Sequence, residues 1–300
     1  MKIRNLSALT PFLAILGSVT ALGLGTSLAK HTLFPVIGAE GTTALRVGFS
    51  ALLMLALCRP WRWRLSAADS RAIACYGAAL GAMNLCFYMS LRTIPFGVAV
   101  AIEFAGPLAV ALVSSRRPLD FTWVMLALAG LGLLLPLGHE PATLDPVGMA
   151  YAGAAAVCWA CYILFGKRVE HLPAAHSVSL GLAVAALVVV PIGLPGAGRA
   201  LADPWILGVG VCVAAISSAL PIFLEMAALK RLSPQAFGVM ISMEPAVAAL
   251  LALGLLDEYL TPAQWLAVGL IVSASIGITV TLRRASSSSC ANVGELGSNR

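Results

Sequence analysis

Ten stretches of mostly apolar residues follow one another along the chain, separated by short breaks that hold most of its charges and several prolines. Each stretch is close to the length of about 20 residues that a helix needs to cross a bilayer. Only 11% of the residues are charged, whereas a soluble domain carries about 25%. The sequence therefore predicts an all-α membrane protein with ten transmembrane helices. The predicted spans are Leu6–Leu28, Thr42–Cys58, Ala72–Leu91, Phe96–Val113, Phe121–Leu137, Val147–Phe165, Val178–Leu194, Trp205–Leu229, Phe237–Leu256 and Pro262–Leu282.

The composition argues against several other classes of protein. The net charge of +6 is spread over many breaks, so it does not form the basic patch that a nucleic-acid partner requires. Cys158 and Cys161 form a C-x-x-C pair, but no second pair and no histidine accompany it. We therefore expect neither a metal nor a cofactor. All four histidines lie outside the apolar stretches, which argues against an intramembrane metalloenzyme. Because the sequence also shows no cluster of His, Asp or Ser at one membrane face, we expect no catalytic residues and no enzyme.

The positions of the basic residues predict the orientation of the chain. With a cytoplasmic N-terminus, 15 of the 19 Lys and Arg residues fall in inside segments and three fall in outside loops, while Arg46 lies within a span. Loops on the cytoplasmic side of a membrane are enriched in Lys and Arg. We therefore expect a multi-pass protein of the bacterial inner membrane with both termini in the cytoplasm.

A short internal repeat relates the two halves of the chain. Phe96-Gly97-Val98 with Glu103 matches Phe237-Gly238-Val239 with Glu244, at a constant offset. Because each half holds five spans, the second half must cross the membrane in the opposite sense to the first. Inverted repeats are typical of secondary transporters. We predict two inverted five-helix repeats over residues 6–137 and 147–284, followed by a disordered cytoplasmic tail over 285–300.

Four ionisable residues lie inside predicted spans: Arg46, Glu103, Glu225 and Glu244. A charge in the bilayer is costly, so such residues face a cavity or a partner and often mark the path of a substrate or a proton. Burial favours the neutral acid, whereas a nearby cation favours the carboxylate. A glutamate that alternates between these forms can exchange a proton for a substrate. A purely structural subunit would not need carboxylates at repeat-equivalent positions.

Two of these residues have simpler alternatives. Glu225 lies close to Lys230 in the sequence, so the two can form an ion pair at the membrane surface. Arg46 lies about one turn into its span, so its side chain can extend outward to the headgroups. The alternative for Arg46 is to hold a substrate carboxylate in a bidentate contact.

Other residues complete the predicted site. Asn84, Tyr88 and Trp159 are candidates for the cavity lining, although Tyr and Trp in membrane helices also serve in packing. Pro107, Pro221 and Pro245 lie close to the three glutamates, and proline removes a helical hydrogen bond. Broken helices can expose backbone groups to a ligand, so we predict helix breaks near the site. Gly77-x-x-x-Gly81 predicts a close contact between two helices.

Several longer strings resemble a known family. LLDEYLTPAQWLAVGLIVSASIG, ending at Gly277, is similar to the end signature of EamA domains in the drug/metabolite transporter superfamily. Within that superfamily, SLAKHTLFP (Ser27–Pro35), TALR (Thr43–Arg46), GVAVAIEFAGPLAVALVSSRRPLDF (Gly97–Phe121), CWACYIL (Cys158–Leu164) and MISMEPAVAA (Met240–Ala249) resemble bacterial inner-membrane exporters of amino acids.

The resemblance implies a ten-helix carrier that exports small neutral amino acids, L-threonine and L-homoserine foremost, driven by the proton gradient. Its partners would be the amino acid, protons and the lipid bilayer, with no nucleic acid. The match places Arg46, Glu103 and Glu244 at the positions to test. The alternative is an EamA-type exporter of another metabolite or drug, such as cysteine-pathway metabolites, purines or cationic compounds.

Overall fold

The computed structural model describes residues 2–63, 65–94, 96–115, 118–134, 145–198, 202–247, 250 and 261–298, and all regular structure in these ranges is helical. A π-helical turn, Ala215–Ala219, joins α8 to α9, and a short 3₁₀ turn, Pro60–Arg62, follows α2. The helices are α1 Lys2–Thr32, α2 Phe34–Cys58, α3 Ala67–Ser90, α4 Phe96–Ser114, α5 Pro118–Leu134, α6 Pro146–Arg168, α7 Ala174–Ala197, α8 Pro204–Ala214, α9 Leu220–Leu229, α10 Pro234–Ile241 and α11 Pro262–Ser298.

Seven helical segments in the described ranges are long and apolar enough to cross a membrane. Two shorter apolar helices, Val98–Ser114 and Pro118–Leu133, coincide with the fourth and fifth predicted spans. The ninth predicted span begins inside α10, which ends at Ile241. The chain is helical again over 243–247. Residues 248–249 and 251–256 of this span lie outside the described residues. The seven helical segments that are long enough to cross a membrane are Thr10–Ala29, Phe34–Cys58, Ala67–Ser90, Pro146–Arg168, Ala174–Pro195, Pro204–Leu229 and Pro262–Thr281. The prediction of a helical membrane protein is confirmed, and the count of ten spans stays a prediction.

Several helices begin where the sequence places a capping residue before a proline. Asp203 accepts a hydrogen bond from the backbone N–H of Trp205 at 2.9 Å, and Ser233 accepts one from Ala236 at 3.2 Å. Each is followed by a proline in the first turn of its helix, where a missing N–H costs nothing. Such caps satisfy donors that the first turn leaves unpaired. They fix the starts of α8 and α10.

The start of α2 differs from the prediction. The helix begins at Phe34 rather than Thr42, and Gly38 inside it has φ 66° and ψ 179°. This left-handed φ is available to glycine at little cost. The residues before Gly38 therefore form a short helical piece that is joined to the main helix by a kink.

The end of the chain also differs from the prediction. Helix α11 runs to Ser298, through the segment from Ala285 that we predicted to be a disordered tail. The segment holds no proline after Pro262. Serine and alanine are both compatible with a helix interior, so composition alone does not end the helix.

The helices pack through small residues. A side chain carbon added at Gly77 would lie 2.4 Å from the carbonyl oxygen of Gly181, and one added at Gly81 would lie 3.0 Å from Ala185. Helices α3 and α7 therefore approach closely, as the Gly77-x-x-x-Gly81 spacing predicted. Across the molecule, α2 packs on α7, α4 on α10 and α5 on α11.

Two pairs of helices that occupy corresponding positions in the two halves differ in how closely they pack. Helix α4 packs tightly on α6, where a side chain at Gly106 would meet the carbonyl oxygen of Ala156 at 2.1 Å. The corresponding pair in the two halves, α10 and α1, makes only slight contact within the described residues. Helix α1 packs instead on α9 and on the π-helical turn, and it lines one side of the cavity described next.

Candidate functional site

A cavity of about 370 Å³ lies among the helices and collects all four ionisable residues that the sequence placed inside spans. It is lined from α1, α2, α3, α4, α6, α9, the π-helical turn and the segment after α10. Among the predicted site residues, those that line it are Arg46, Asn84, Tyr88, Glu103, Trp159, Pro221, Glu225 and Glu244, whereas Pro107 and Pro245 do not. Within the described part of the chain, no three His, Cys, Asp or Glu side chains are grouped as a metal site requires.

Arg46 is buried against α3. Its side chain is 8% exposed. Nη1 donates to the Tyr88 hydroxyl and Nη2 donates to Asn84 Oδ1, both at 3.1 Å. Asn84 in turn donates to the carbonyl oxygen of Leu80 at 2.9 Å, which fixes its orientation. The alternative in which Arg46 extends to the headgroups is therefore wrong.

The guanidinium of Arg46 keeps donors unused. Its Nε is buried and has no hydrogen-bond partner, and no described acidic side chain forms a salt bridge with it. A guanidinium has five N–H donors, of which Tyr88 and Asn84 take two. Glu103 and Glu244 lie within electrostatic range of Arg46 but do not contact it. The unused N–H donors therefore favour direct binding of an anionic group that enters the cavity.

Glu225 has the opposite character, because both of its oxygens are occupied. Ser18 donates to Oε1 at 2.8 Å, and the Tyr162 hydroxyl donates to Oε2 at 3.2 Å. Lys230 instead donates to the carbonyl oxygen of Leu172 and to Ser177. The ion pair between Glu225 and Lys230 is therefore not formed.

Glu103 and Glu244 face the same cavity from α4 and from the segment after α10. Glu103 is buried and Glu244 is half-buried. Neither makes a hydrogen bond or salt bridge to another described residue. Next to Glu103, Phe104 packs edge-on against Trp159, with ring centroids 4.7 Å apart. This pair forms an aromatic wall beside the carboxyl group.

The three prolines differ in what they do to their helices. Helix α4 continues through Pro107 without interruption, so the break expected there is absent. Pro221 is the second residue after the π-helical turn and lies in the first turn of α9. Pro245 lies four residues after Ile241, where α10 ends, and a proline at that spacing removes the donor for the Ile241 carbonyl.

Comparison with known proteins agrees with this arrangement. The EamA-like transporter family matches residues 146–280. The threonine/homoserine exporter RhtA of Escherichia coli (strain K12) is 48% identical over 287 residues, which are 95% of this chain and 96% of that protein. The chain belongs to the EamA-like transporter family. It is a multi-pass transporter of the inner membrane.

Other relatives cover most of the transporter as well. RhtA of Salmonella typhimurium (strain LT2) is 48% identical over 94% of this chain and 95% of its own length. An uncharacterized transporter of Bacillus subtilis (strain 168), YwfM, is 24% identical over 90% of this chain and 93% of its own. A crystal structure at 23% identity covers 92% of this chain and 97% of its own, with a TM-score of 0.69. This last likeness shows the fold alone.

Sequence reasoning missed several cavity residues of the transporter. Ser18 and Tyr162 hold Glu225, and Ser217 and Ser218 line the cavity from the π-helical turn. The signal for the last two was an adjacent pair of serines in the middle of an apolar stretch, four and three residues before Pro221. Ser18 gave no comparable signal, because single serines are common in membrane helices.

One end of the transporter is tied by two lysines that cross between loops. Lys167, at the end of α6, donates to the carbonyl oxygens of Leu229 and Leu232 at 3.2 and 3.0 Å. Lys230, after α9, donates to the carbonyl oxygen of Leu172 in the loop between α6 and α7, and to the hydroxyl of Ser177 in the first turn of α7. Burial lowers the pKa of Lys230 to about 8. These bonds link the two loops into one unit.

Proposed function

We propose that this transporter exports small neutral amino acids, L-threonine and L-homoserine foremost, in exchange for protons. Two relatives that are 48% identical over nearly the whole chain are threonine/homoserine exporters by name. The observation that carries the proposal is the buried Arg46, which has an unpartnered Nε and forms no salt bridge with a described side chain, although Glu103 and Glu244 lie within electrostatic range.

An amino-acid zwitterion carries charges that are complementary to those lining this cavity. Its carboxylate can accept two parallel hydrogen bonds from the guanidinium edge of Arg46, which is the strong bidentate geometry. Its ammonium group would lie against Glu103 or Glu244, which line the same cavity and have no hydrogen-bond partner among the described residues. Asn84 and Tyr88 hold Arg46 in place for this contact.

The same two glutamates support an exchange with protons. Without substrate, a carboxyl group in a membrane cavity is more stable as the neutral acid, whereas the substrate ammonium favours the carboxylate. Binding of a proton to the glutamate therefore opposes binding of the amino acid, and the reverse. Loading of a proton from outside would neutralise a glutamate and release the amino acid to the outside.

Alternating access would come from two inverted five-helix repeats with both termini in the cytoplasm. Helices at corresponding positions of the two halves pack on each other, namely α2 on α7, α4 on α10 and α5 on α11, which is the arrangement that a two-fold pseudo-axis produces. The 15-to-3 distribution of basic residues supports the orientation. Rocking of one repeat against the other would open the cavity to each side in turn.

A second candidate is export of an aromatic or cationic compound. The observation that favours it is the aromatic lining, in which Phe34, Phe87, Tyr88, Phe104 and Trp159 all reach the cavity. Aromatic faces attract organic cations. A growth-resistance panel of threonine, homoserine, cysteine, purines and cationic dyes separates the two candidates, since the amino-acid proposal predicts resistance to threonine and homoserine.

The deciding experiment is uptake of labelled L-threonine into inverted membrane vesicles. In these vesicles the cytoplasmic face points outward, so export appears as uptake, and an acidic lumen should drive it. We expect uptake to fall to the level of vesicles without the transporter when an ionophore collapses the pH gradient. Uptake that is insensitive to the ionophore contradicts proton coupling, and absence of threonine uptake contradicts the substrate.

A further inference from the structure

The π-helical turn Ala215–Ala219 is held at the cavity by both neighbouring helices. A side chain carbon at Gly25 of α1 would lie 2.5 Å from Cβ of Ser217, so α1 packs directly on the turn. From the other side, the Ser50 hydroxyl of α2 lies 2.6 Å from the carbonyl oxygen of Arg46 and 2.9 Å from that of Ala214, so its one hydrogen is shared between the two acceptors. The turn therefore lies beside the helical turn that carries Arg46. π-helical turns inside α-helices are frequent at functional sites.

Ser218 presents a hydroxyl group that nothing in the described structure uses. The residue is 2% exposed, and it lines the cavity. Its hydroxyl has no hydrogen-bond partner among the described residues. Because Ser218 lines the cavity, its hydroxyl is available to a ligand that enters there.

The other buried hydroxyl groups of the cavity are already engaged. Ser217 donates to the carbonyl oxygen of Val213 at 2.7 Å. Tyr88 accepts from Arg46, and Tyr162 donates to Glu225. Thr26 and Ser27 of α1 also line the cavity without a hydrogen-bond partner among the described residues, but they are only half-buried, so Ser218 is the buried one of the three.

We propose that the Ser218 hydroxyl recognises the side-chain hydroxyl of the substrate and so makes the transporter prefer hydroxylated amino acids over their deoxy analogues. This inference rests on the proposed function, because it takes the substrate carboxylate to lie at Arg46. Ser218 can either donate to the substrate oxygen or accept from its O–H. A site that hydrogen-bonds a substrate hydroxyl rejects an analogue without it, because its own group then stays unpaired.

The test compares L-threonine with L-2-aminobutyrate, which has the same carboxylate, ammonium group and carbon chain but no hydroxyl. Initial uptake rates of both compounds are measured in inverted vesicles of the wild type and of Ser218→Ala. We expect the ratio of threonine to aminobutyrate uptake to fall about threefold to tenfold, as for loss of one neutral hydrogen bond. Aminobutyrate uptake itself should change little. The ratio of homoserine to aminobutyrate should fall in the same way.

The matched control is Ser179→Ala, since Ser179 is buried but bonds to the carbonyl oxygen of His176 in its own helix and does not line the cavity. It should keep the wild-type ratio. Ser218→Cys, which is close to serine in size and a weak donor, gives the same comparison if the alanine variant fails to insert. Threonine uptake with an unchanged ratio in both Ser218 variants overturns this inference alone. Absence of threonine uptake by the wild type contradicts the proposed function, and this inference with it.

Discussion

Two polar clusters lie on the same cavity, and they differ in whether their hydrogen-bonding groups are occupied. In the arginine cluster (Arg46, Asn84 and Tyr88), the guanidinium uses two donors and leaves Nε without a partner. In the Glu225 cluster (Ser18, Tyr162 and Glu225), each carboxyl oxygen accepts a hydrogen bond from another helix. The first has capacity for a ligand, whereas the second joins α1, α6 and α9.

The comparison shows that a charge in the membrane is not by itself evidence of binding. In the sequence all four intramembrane charges were candidates for the site, with a simpler alternative only for Glu225 and Arg46. Their neighbours separate them, since Arg46 Nε, Glu103 and Glu244 have no hydrogen-bond partner among the described residues, whereas each oxygen of Glu225 already accepts a hydrogen bond. Removal of an unoccupied group should abolish transport, and removal of an occupied one should first weaken the structure.

The largest expected effect comes from Glu103→Gln. The amide keeps the size of the side chain but neither carries a proton nor balances an ammonium group, so threonine transport should be abolished while the protein still inserts. Vesicle uptake measures the first, and immunoblotting of the membrane fraction measures the second. Glu170→Gln, at the exposed end of the ion pair with Lys167, should transport normally. Wild-type rates in Glu103→Gln would remove Glu103 from the mechanism.

Arg46→Lys should cause the second-largest loss of threonine transport. Lysine keeps the charge but loses the planar fork that matches a carboxylate. Loss of a buried charged contact costs about 2–5 kcal/mol, which is at least about 30-fold in transport efficiency at 1.4 kcal/mol per tenfold. The kinetics of threonine uptake in inverted vesicles measure this loss of transport efficiency. Arg92→Lys, whose partner Glu40 lies at the surface, is the control, and equal losses in the two variants would contradict a special role for Arg46.

Glu225→Gln should have a smaller effect on transport and a clear effect on stability. An amide has one acceptor oxygen, so one of the bonds from Ser18 and Tyr162 is lost, and hydrogen bonds to charged groups are worth about 1.5–3 kcal/mol. Thermal melting of the purified protein in detergent should show a lower midpoint. Ser18→Ala should lower the midpoint too, and the double variant should lose less than the sum of the two. Additive losses would mean that the two side chains act independently.

The smallest effect should come from Lys230. Because its pKa is lowered to about 8 by burial, the unfolded chain binds one more proton than the folded chain between that pH and the ordinary value of about 10.4. Stability should therefore rise with pH in that window, by an amount that partial exposure keeps modest. Melting midpoints of the wild type at about pH 7 and about pH 9.5 should differ more than those of Lys230→Met. Equal pH dependence of the melting midpoint in the two proteins would contradict a lowered pKa at Lys230.

The sequence was informative where a physical cost is large. Charges in a bilayer are costly enough that four scattered residues predicted one cavity, and the structure brings all four to it. Ser18, Tyr162 and Ser218 were not predicted, because a hydroxyl in a membrane helix often bonds to its own backbone, as Ser217 does to Val213. Pro107, Pro221 and Pro245 also behave differently from one another, since the effect of a proline depends on the packing around it.

The central claim is that Arg46 receives the carboxylate of an amino acid. The most direct measurement is inhibition of labelled threonine uptake in inverted vesicles by unlabelled L-threonine or by L-threonine amide, which keeps the ammonium group and the side chain but has no carboxylate. We predict that threonine competes fully and that the amide competes at least about 30-fold more weakly, the fold-change that loss of a buried charged contact gives. Equal competition by the two compounds would contradict the claim.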